Sequence, residues 1–127
     1  MPAVGPKGAL QPTAYRVGAA VLACRILKRG ADVDHVIHAT AVSSVPVGIS
    51  EEDQPTVDKP VRVAHRPGEL VRVEAGLAFA IDAELTSDAT GRAVAAVATN
   101  QYVAISRGAA LAAGDLVTCE IRYGIKP

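Results

Sequence analysis

"LTSDATGRAVAA" spans residues 85–96. A polar run from Thr86 to Arg92 separates Leu85 from Val94, and apolar residues resume directly after it. Turn-forming residues between two apolar flanks mark a strand, a turn and a returning strand. The layout occurs twice. "GAAVLACRILKRGADVDHV" (18–36) aligns without gaps on "GLAFAIDAELTSDATGRAV" (76–94), which places Gly18 on Gly76, Ala20 on Ala78, Leu27 on Leu85, Ala31 on Ala89 and Val36 on Val94. The two turns share small, flexible residues but not their polar groups, so the turn is the repeated feature, not a chemistry.

Two further blocks follow in the same order. "VIHATAVSSVPVGIS" (36–50) resembles "VAAVATNQYVAIS" (94–106) after a two-residue deletion. "PGELVRVE" (67–74) resembles "AGDLVTCE" (113–120), with Gly68 on Gly114, Leu70 on Leu116, Val71 on Val117 and Glu74 on Glu120. Matches in one register point to internal duplication. The reading is one domain, 17–127, made of two related halves at 18–74 and 76–123. An insertion in the first half covers "EEDQPTVDKPVRVAHR" (51–66), and an extended arm, 1–16, stands in front.

Alternation sets the fold class. In "GDLVTCEIRY", Val117, Cys119, Ile121 and Tyr123 fall on one side and Thr118, Glu120 and Arg122 on the other. "GELVRVEA" and "PVRVAHR" alternate likewise, and period two marks half-buried strands. Short strands between Gly-rich turns predict a mainly β fold, a small barrel or sandwich. Helical spacing in "YRVGAAVLACRILKR" and the Ala-rich 109–113 segment predict short helical turns near 20–27 and 109–113.

Composition limits the function. The chain has 127 residues, the size of one domain. Half of it is hydrophobic but only 3% aromatic (Tyr15, Phe79, Tyr102, Tyr123), so the core must be built from Ala, Val, Ile and Leu. Thirteen basic residues balance thirteen acidic ones. That is not the basic footprint of a nucleic-acid binder, and few aromatics means few platforms for stacking bases. No stretch reaches the roughly 18 apolar residues of a membrane span, and the first residues lack the charged and apolar segments of a signal peptide. Cys24 and Cys119 fit neither a redox CxxC nor a zinc knuckle; reduced thiols are expected, with a single disulfide as the alternative.

The search for chemistry returns no catalytic, cofactor-binding or metal-binding set. His35 and His38 lie in a strand-like stretch, where residues three apart face opposite ways. Ser43 and Ser44 lack a G-x-S-x-G elbow. Asp82, Glu84 and Asp88 read as turn and capping groups. Neither GxGxxG nor a Walker loop occurs. The arm "MPAVGPKGALQP" is more informative. Its prolines exclude a helix or central strand, yet it carries Val4 and Leu10. Such a segment suits ordering on a neighbour, by strand addition or draping.

With these stretches together, "VPVGISEED", "GELVRVEAGLAFAIDAELTSDATGRAVAA" and "VAISRGAALAAGDLVTCEI" resemble the capsid decoration (cement) proteins of tailed bacteriophages. The similarity covers roughly residues 18–123 and is sharpest in "AELTSDATGRAVAA" with "AAGDLVTCEI". The resemblance implies a β-rich protein, often trimeric, on the outer face of the mature head, where it bridges neighbouring major capsid subunits. It implies the major capsid protein and further copies of itself as partners, with no nucleic acid, membrane or cofactor. The candidate capsid or inter-subunit contacts are Pro2, Val4, Pro6, Leu10, Pro12 and Tyr15 in the arm, and Glu51, Glu52 and Asp53 in the 51–66 segment. Two other readings stay open: another virion component, such as a head-fibre base or tail protein, and a small β-barrel ligand-binding or enzyme domain.

Overall fold

The structure is a computed structural model, and it describes residues 15–42 and 44–127. Those residues form eleven strands: β1 Tyr15–Val17, β2 Ile26–Arg29, β3 His35–His38, β4 Pro46–Ser50, β5 Pro60–Val61, β6 Val63–Ala64, β7 Leu70–Glu74, β8 Glu84–Ser87, β9 Ala93–Ala95, β10 Gln101–Ser106 and β11 Leu116–Ile125. The mainly β expectation holds. The expected helical turns do not, because no helix occurs among the described residues. Near 20–27 the chain turns sharply instead: Val21 bridges Gln54, and Cys24 takes a left-handed φ of 63°. Near 109–113, Ala110 bridges Phe79. Ala propensity is a weak preference, and cross-strand hydrogen bonds override it.

The strands form two sheets, one from each half. The first has the order β5-β1-β3-β2-β4-β6. Its edge strands β5 and β6 are consecutive in the chain with only Arg62 between them, so the sheet curls back on itself. Tyr15, Val17, Val21, Leu27, Val36 and Val61 form the buried cluster of this lobe. The second sheet has the order β7-β11-β10-β8-β9, and a parallel bridge from Ala75 to Ala93 draws its edges together. Curling removes exposed edges and lets small side chains fill a narrow interior.

The two lobes repeat each other bond for bond. In the first, the Cys24 N–H donates to the Ser50 carbonyl and the Ser50 N–H to that of Arg25; in the second, Asp82, Ser106 and Ala83 do the same. The φ of 63° at Cys24 is matched by 65° at Asp82. Parallel pairing of Val17 with Val36 is matched by Ala75 with Ala93. The Val21–Gln54 bridge is matched by Phe79–Ala110. Pairing of Tyr15 with Val61 is matched by Val73 with Val117, and Ser50 with Val63 by Ser106 with Cys119.

This ladder corrects the sequence alignment twice. The offset slips by one residue across the turn, so Val36 falls on Ala93, not on Val94. The third block moves further. The partner of 116–120 is 60–64, not 70–74, and 51–66 is no insertion, since Gln54 already has its counterpart in Ala110. Residues 70–74 instead form β7, paired antiparallel with β11 from Leu70–Glu120 to Glu74–Leu116. The stretches 67–74 and 113–120 are both period-two strands after a left-handed glycine, Gly68 at φ 93° and Gly114 at 95°, which explains the confusion; the true counterpart of Gly114 is Asp58, at φ 68°.

The seam between lobes is apolar at its centre. Ile26, Ala39, Ile49 and Ala64 of the first lobe join Val103, Ala104, Cys119 and Ile121 of the second in one buried cluster. Burial of each large aliphatic chain there stabilises by about 1.5–3 kcal/mol.

Candidate interaction surfaces

The turn at 88–92 stands where the two lobes meet. Asp88 Oδ1 accepts the N–H groups of Thr90 (2.8 Å) and Arg92 (2.9 Å) and faces the Thr90 hydroxyl. Burial alone would raise the Asp88 pKa; those donors and the Arg92 charge outweigh it and hold the carboxyl below its usual range. The turn then docks on the other lobe. The Ile26 N–H donates to the Gly91 carbonyl (2.7 Å), Arg25 Nη1 donates to Thr90 O (2.9 Å), and Glu74 sits between Arg25 (3.4 Å) and Arg92 (3.6 Å). Gly91 has φ of 83°, and a Cβ there would lie 2.9 Å from the Ile26 carbonyl oxygen. The turn is a clip between lobes. A second tie is Tyr123, whose hydroxyl lies 2.6 Å from Val47 O and 2.8 Å from His65 O.

The histidines are engaged separately. His35 Nδ1 faces Asp34 (3.1 Å) and Asp32 (3.3 Å), while Nε2 faces Asp58 (2.8 Å). Only the imidazolium can donate from both nitrogens. The Asp58 hydrogen bond, outweighing desolvation, raises the His35 pKa, and the charges of Asp34 and Asp32 add to it. Asp32, Asp34 and His35 form a cluster of metal-type ligands among the described residues, with Asp32 exposed and Asp34 and His35 half-buried. His38 Nε2 instead accepts the Leu22 N–H (3.0 Å), and desolvation lowers its pKa. The His65 ring packs edge-on against Tyr15, centroids 5.6 Å apart. Both cysteines are free. Burial pushes the Cys119 thiol up to about 12 and raises that of Cys24 as well, which leaves both poor nucleophiles.

Of the sequence-derived contact residues, Pro2, Val4, Pro6, Leu10 and Pro12 lie outside the described residues. Tyr15 is only 4% exposed and belongs to the first-lobe core. Glu51 is exposed. Glu52 Oε2 accepts the Arg62 N–H (2.9 Å), and Asp53 Oδ1 accepts the Ala23 N–H (2.7 Å), so both brace the loop they stand on. Tyr15, Glu51 and Glu52 line one open groove along β5 and β6, which Asp53 does not reach.

Two features escaped the sequence reading. The first is an apolar set on the second lobe: Leu77, Ile81, Leu111 and Leu116 are exposed, Leu111 by 86%. The Phe79–Ala110 bridge holds the 76–81 and 109–116 segments side by side. Their counterparts in the first lobe are Ala19, Ala23, Pro55 and Pro60. Large side chains at turn positions where the other half has Ala or Pro were the signal, readable only with the correct alignment. The second feature is a set of open grooves. One, about 480 Å³, runs along the seam between Tyr15, Arg29, Val45, Val47, His65 and Tyr123. Another, about 460 Å³, follows β5 and β6 past Tyr15, Glu52, Val61, Val63 and His65. Open grooves and exposed apolar side chains suit contact with a macromolecule better than enclosure of a small ligand.

No family model matches the chain, and no curated protein matches its sequence. Among solved structures, it is similar to the crystal structure of head fiber gp8.5 N base in bacteriophage phi29. The TM-score is 0.69 at 23% sequence identity, over 86% of this chain and 91% of that one. A likeness of this kind shows a shared fold, spanning nearly all of both chains.

Proposed function

We propose that this chain is a structural protein of a tailed-phage virion that docks on the outer surface of the head. The observation that carries the proposal is the fold shared with a head-fiber base over nearly the full length of both chains. The resemblance of its motifs to decoration proteins points the same way. The exposed Leu77, Ile81, Leu111 and Leu116 supply an apolar contact face, and no pocket is required. Modest contacts suffice when many copies bind a symmetric lattice.

Two modes of docking fit. As a decoration protein, the chain forms trimers that bridge neighbouring major capsid subunits and brace the mature head. As the base of a head fibre, it anchors a projecting structure at fewer positions. The fold likeness favours the fibre base as strongly as the motifs favour decoration.

Co-sedimentation with heads of the encoding virus separates these modes from each other and from their failure. Saturable binding to expanded, DNA-free heads, absent on unexpanded shells, supports docking at a site made by maturation. Occupancy near the number of capsid subunits or trimer positions favours decoration; a small fixed number favours a fibre base. Binding to neither shell overturns the head-surface reading. Leu111→Glu and Leu77→Glu are each expected to weaken binding tenfold or more without lowering Tm, because both side chains project into solvent.

A further inference from the structure

Corresponding turns of the two lobes handle charge in different ways. In the second lobe, Asp88 and Glu74 face the fixed cation of Arg92 at 3.5 and 3.6 Å. In the first, His35 holds the place of Arg92, and three carboxylates converge on it. Asp34 (3.1 Å) and Asp32 (3.3 Å) lie against Nδ1, and Asp58 (2.8 Å) lies against Nε2. The second lobe has no equivalent of this set. Its turn holds Ala89, Thr90 and Gly91 between Asp88 and Arg92, and Gly114 stands where Asp58 does. The Asp58 N–H donates to Val17 O (2.9 Å) as that of Gly114 does to Ala75 O (2.8 Å). Among the described residues no Lys or Arg pairs with Asp32, Asp34 or Asp58. Even a protonated His35 therefore leaves two of the three negative charges uncompensated.

The backbone holds these groups in place. The Gly30 N–H donates to His35 O (2.7 Å), and the Arg16 N–H donates to Asp34 O (2.7 Å). In neutral His35, Asp58 fixes the proton on Nε2, so Nδ1 turns a lone pair toward two carboxylate oxygens. Three electron-pair donors in that arrangement need a cation among them. A proton on Nδ1 is one solution and a metal ion is the other. Ligand atoms about 2.1 Å from an ion stand roughly 3.0–3.4 Å apart along the edges of its coordination polyhedron. The two edges at Nδ1 already have that length. All three ligand atoms lie within 4.8 Å of one another, and Asp32, whose side chain is exposed, can change rotamer to close the third edge. A carboxylate on the far nitrogen of a ligating histidine is the arrangement that orients such ligands in metal sites.

We propose that His35 Nδ1, Asp32 and Asp34 bind a divalent transition-metal ion of the zinc class, with Asp58 orienting the imidazole. One imidazole nitrogen with two carboxylates suits zinc; calcium and magnesium take oxygen ligands. Asp32, His35 and Asp58 border an open depression of about 440 Å³, through which water reaches the remaining coordination positions. Lys28 on the same rim is turned to the Thr40 hydroxyl (3.1 Å). The bound ion ties the 30–35 turn, through His35, to Asp58, much as Arg92 ties its own turn to Glu74. The proposal is independent of the head-surface reading.

Calorimetric titration of the metal-free, full-length protein with zinc chloride, and separately with calcium chloride, tests it. One zinc per chain is expected, bound at least tenfold more tightly than calcium. His35→Ala and the double variant Asp32→Asn with Asp34→Asn are each expected to weaken zinc binding tenfold or more. Asp58→Asn, which touches only the far nitrogen, is expected to weaken it about tenfold. His38→Gln is expected to leave it unchanged. Melting of each variant without metal reports whether it is folded. Nitrogen-15 spectra of the His35 ring are expected to show zinc at Nδ1 while Nε2 keeps its proton. Absence of saturable zinc binding overturns the site, as does binding that survives both His35→Ala and the double aspartate variant. Calcium bound as tightly as zinc overturns the assignment to a transition-metal ion.

Discussion

The two lobes solve one packing problem with different side chains. Their interiors use the same six positions: Tyr15, Val17, Val21, Leu27, Val36 and Val61 in the first; Val73, Ala75, Phe79, Leu85, Ala93 and Val117 in the second. Each contains one aromatic, but at a different position, and each places Val where the other has its ring. Buried Ser50 and Ser106, by contrast, are the same residue making the same bonds. The Ser50 hydroxyl donates to Leu22 O (2.6 Å) and accepts from the Arg25 N–H (3.1 Å); the Ser106 hydroxyl donates to Ala80 O (2.9 Å) and accepts from the Ala83 N–H (3.1 Å). Apolar volume can be redistributed within a core as long as its total is kept. A hydroxyl that satisfies two buried backbone groups has no substitute of its size.

The largest expected effect breaks the aromatic exchange. Tyr15→Val is expected to cost about 3 kcal/mol, since it empties the first interior of its one ring. Adding Val21→Phe, which copies the second-lobe arrangement, is expected to recover at least about 1 kcal/mol, the coupling expected of residues in contact. Urea denaturation of the two single variants and the double variant measures it; strict additivity would mean the interiors are not equivalent.

Next come the serines. Ser50→Ala and Ser106→Ala each strand a carbonyl and an N–H, and each is expected to cost about 2 kcal/mol. Equal losses in chemical denaturation sharpen the equivalence of the lobes; a near-zero loss in either breaks it.

A smaller asymmetry is built into β4 and β10. Gly48 and Ala104 are counterparts, paired with Leu27 and Leu85. A Cβ on Gly48 would run into the Ala64 carbonyl and the Val63 side chain, whereas Ala104 is accommodated and fully buried. Gly48→Ala is expected to cost about 1–3 kcal/mol by overpacking, and Ala104→Gly about 1 kcal/mol through lost burial and added backbone freedom. Thermal melts of both variants test the ranking.

The smallest effect concerns charge. His35 stands where the second lobe has Arg92: the Gly30 N–H donates to the His35 carbonyl as the Asp88 N–H does to that of Arg92. The first-lobe group is an imidazole, whose charge depends on pH. Because the folded pKa of His35 is raised, its stabilisation is fully present below the unfolded value near 6.5 and is lost as pH rises through the folded value. His38, with a lowered pKa, acts oppositely: its contribution is lost as pH falls through its folded value. The Tm difference between wild type and His35→Gln isolates the first term. It is expected to shrink between pH 6 and 9 and to be constant if the carboxylates around His35 contribute nothing.

Much of this organisation was legible in the residues. Period-two alternation around Val117–Tyr123 read directly as a strand, and the 58-residue offset found the duplicated strand–turn–strand. The false helical turns came from Ala and Val at 19–24, where a left-handed Cys24 and a bridge to Gln54 settle the path; neither has a local signature. The third repeat block went astray because "PGELVRVE" and "AGDLVTCE" share glycine turns and alternation, features that many strands share and that carry no partner information. The surface was the least legible part. Tyr15 looked like an arm residue because it follows a Pro-rich segment, but its ring fills the first interior. Leu111 looked like part of an Ala-rich turn, and only its bridge neighbours show that it stands in solvent beside the 76–81 segment.

The central claim is that this two-lobed fold serves the outside of a phage head, and direct imaging tests it most sharply. Virions of the encoding virus would be imaged by single-particle cryo-electron microscopy with a small rigid tag on the chain's C-terminus. The account predicts density of two adjoining small β lobes on the outer face of the head, with tag density beside it. Tag density confined to the tail, or its absence from intact virions, would contradict it.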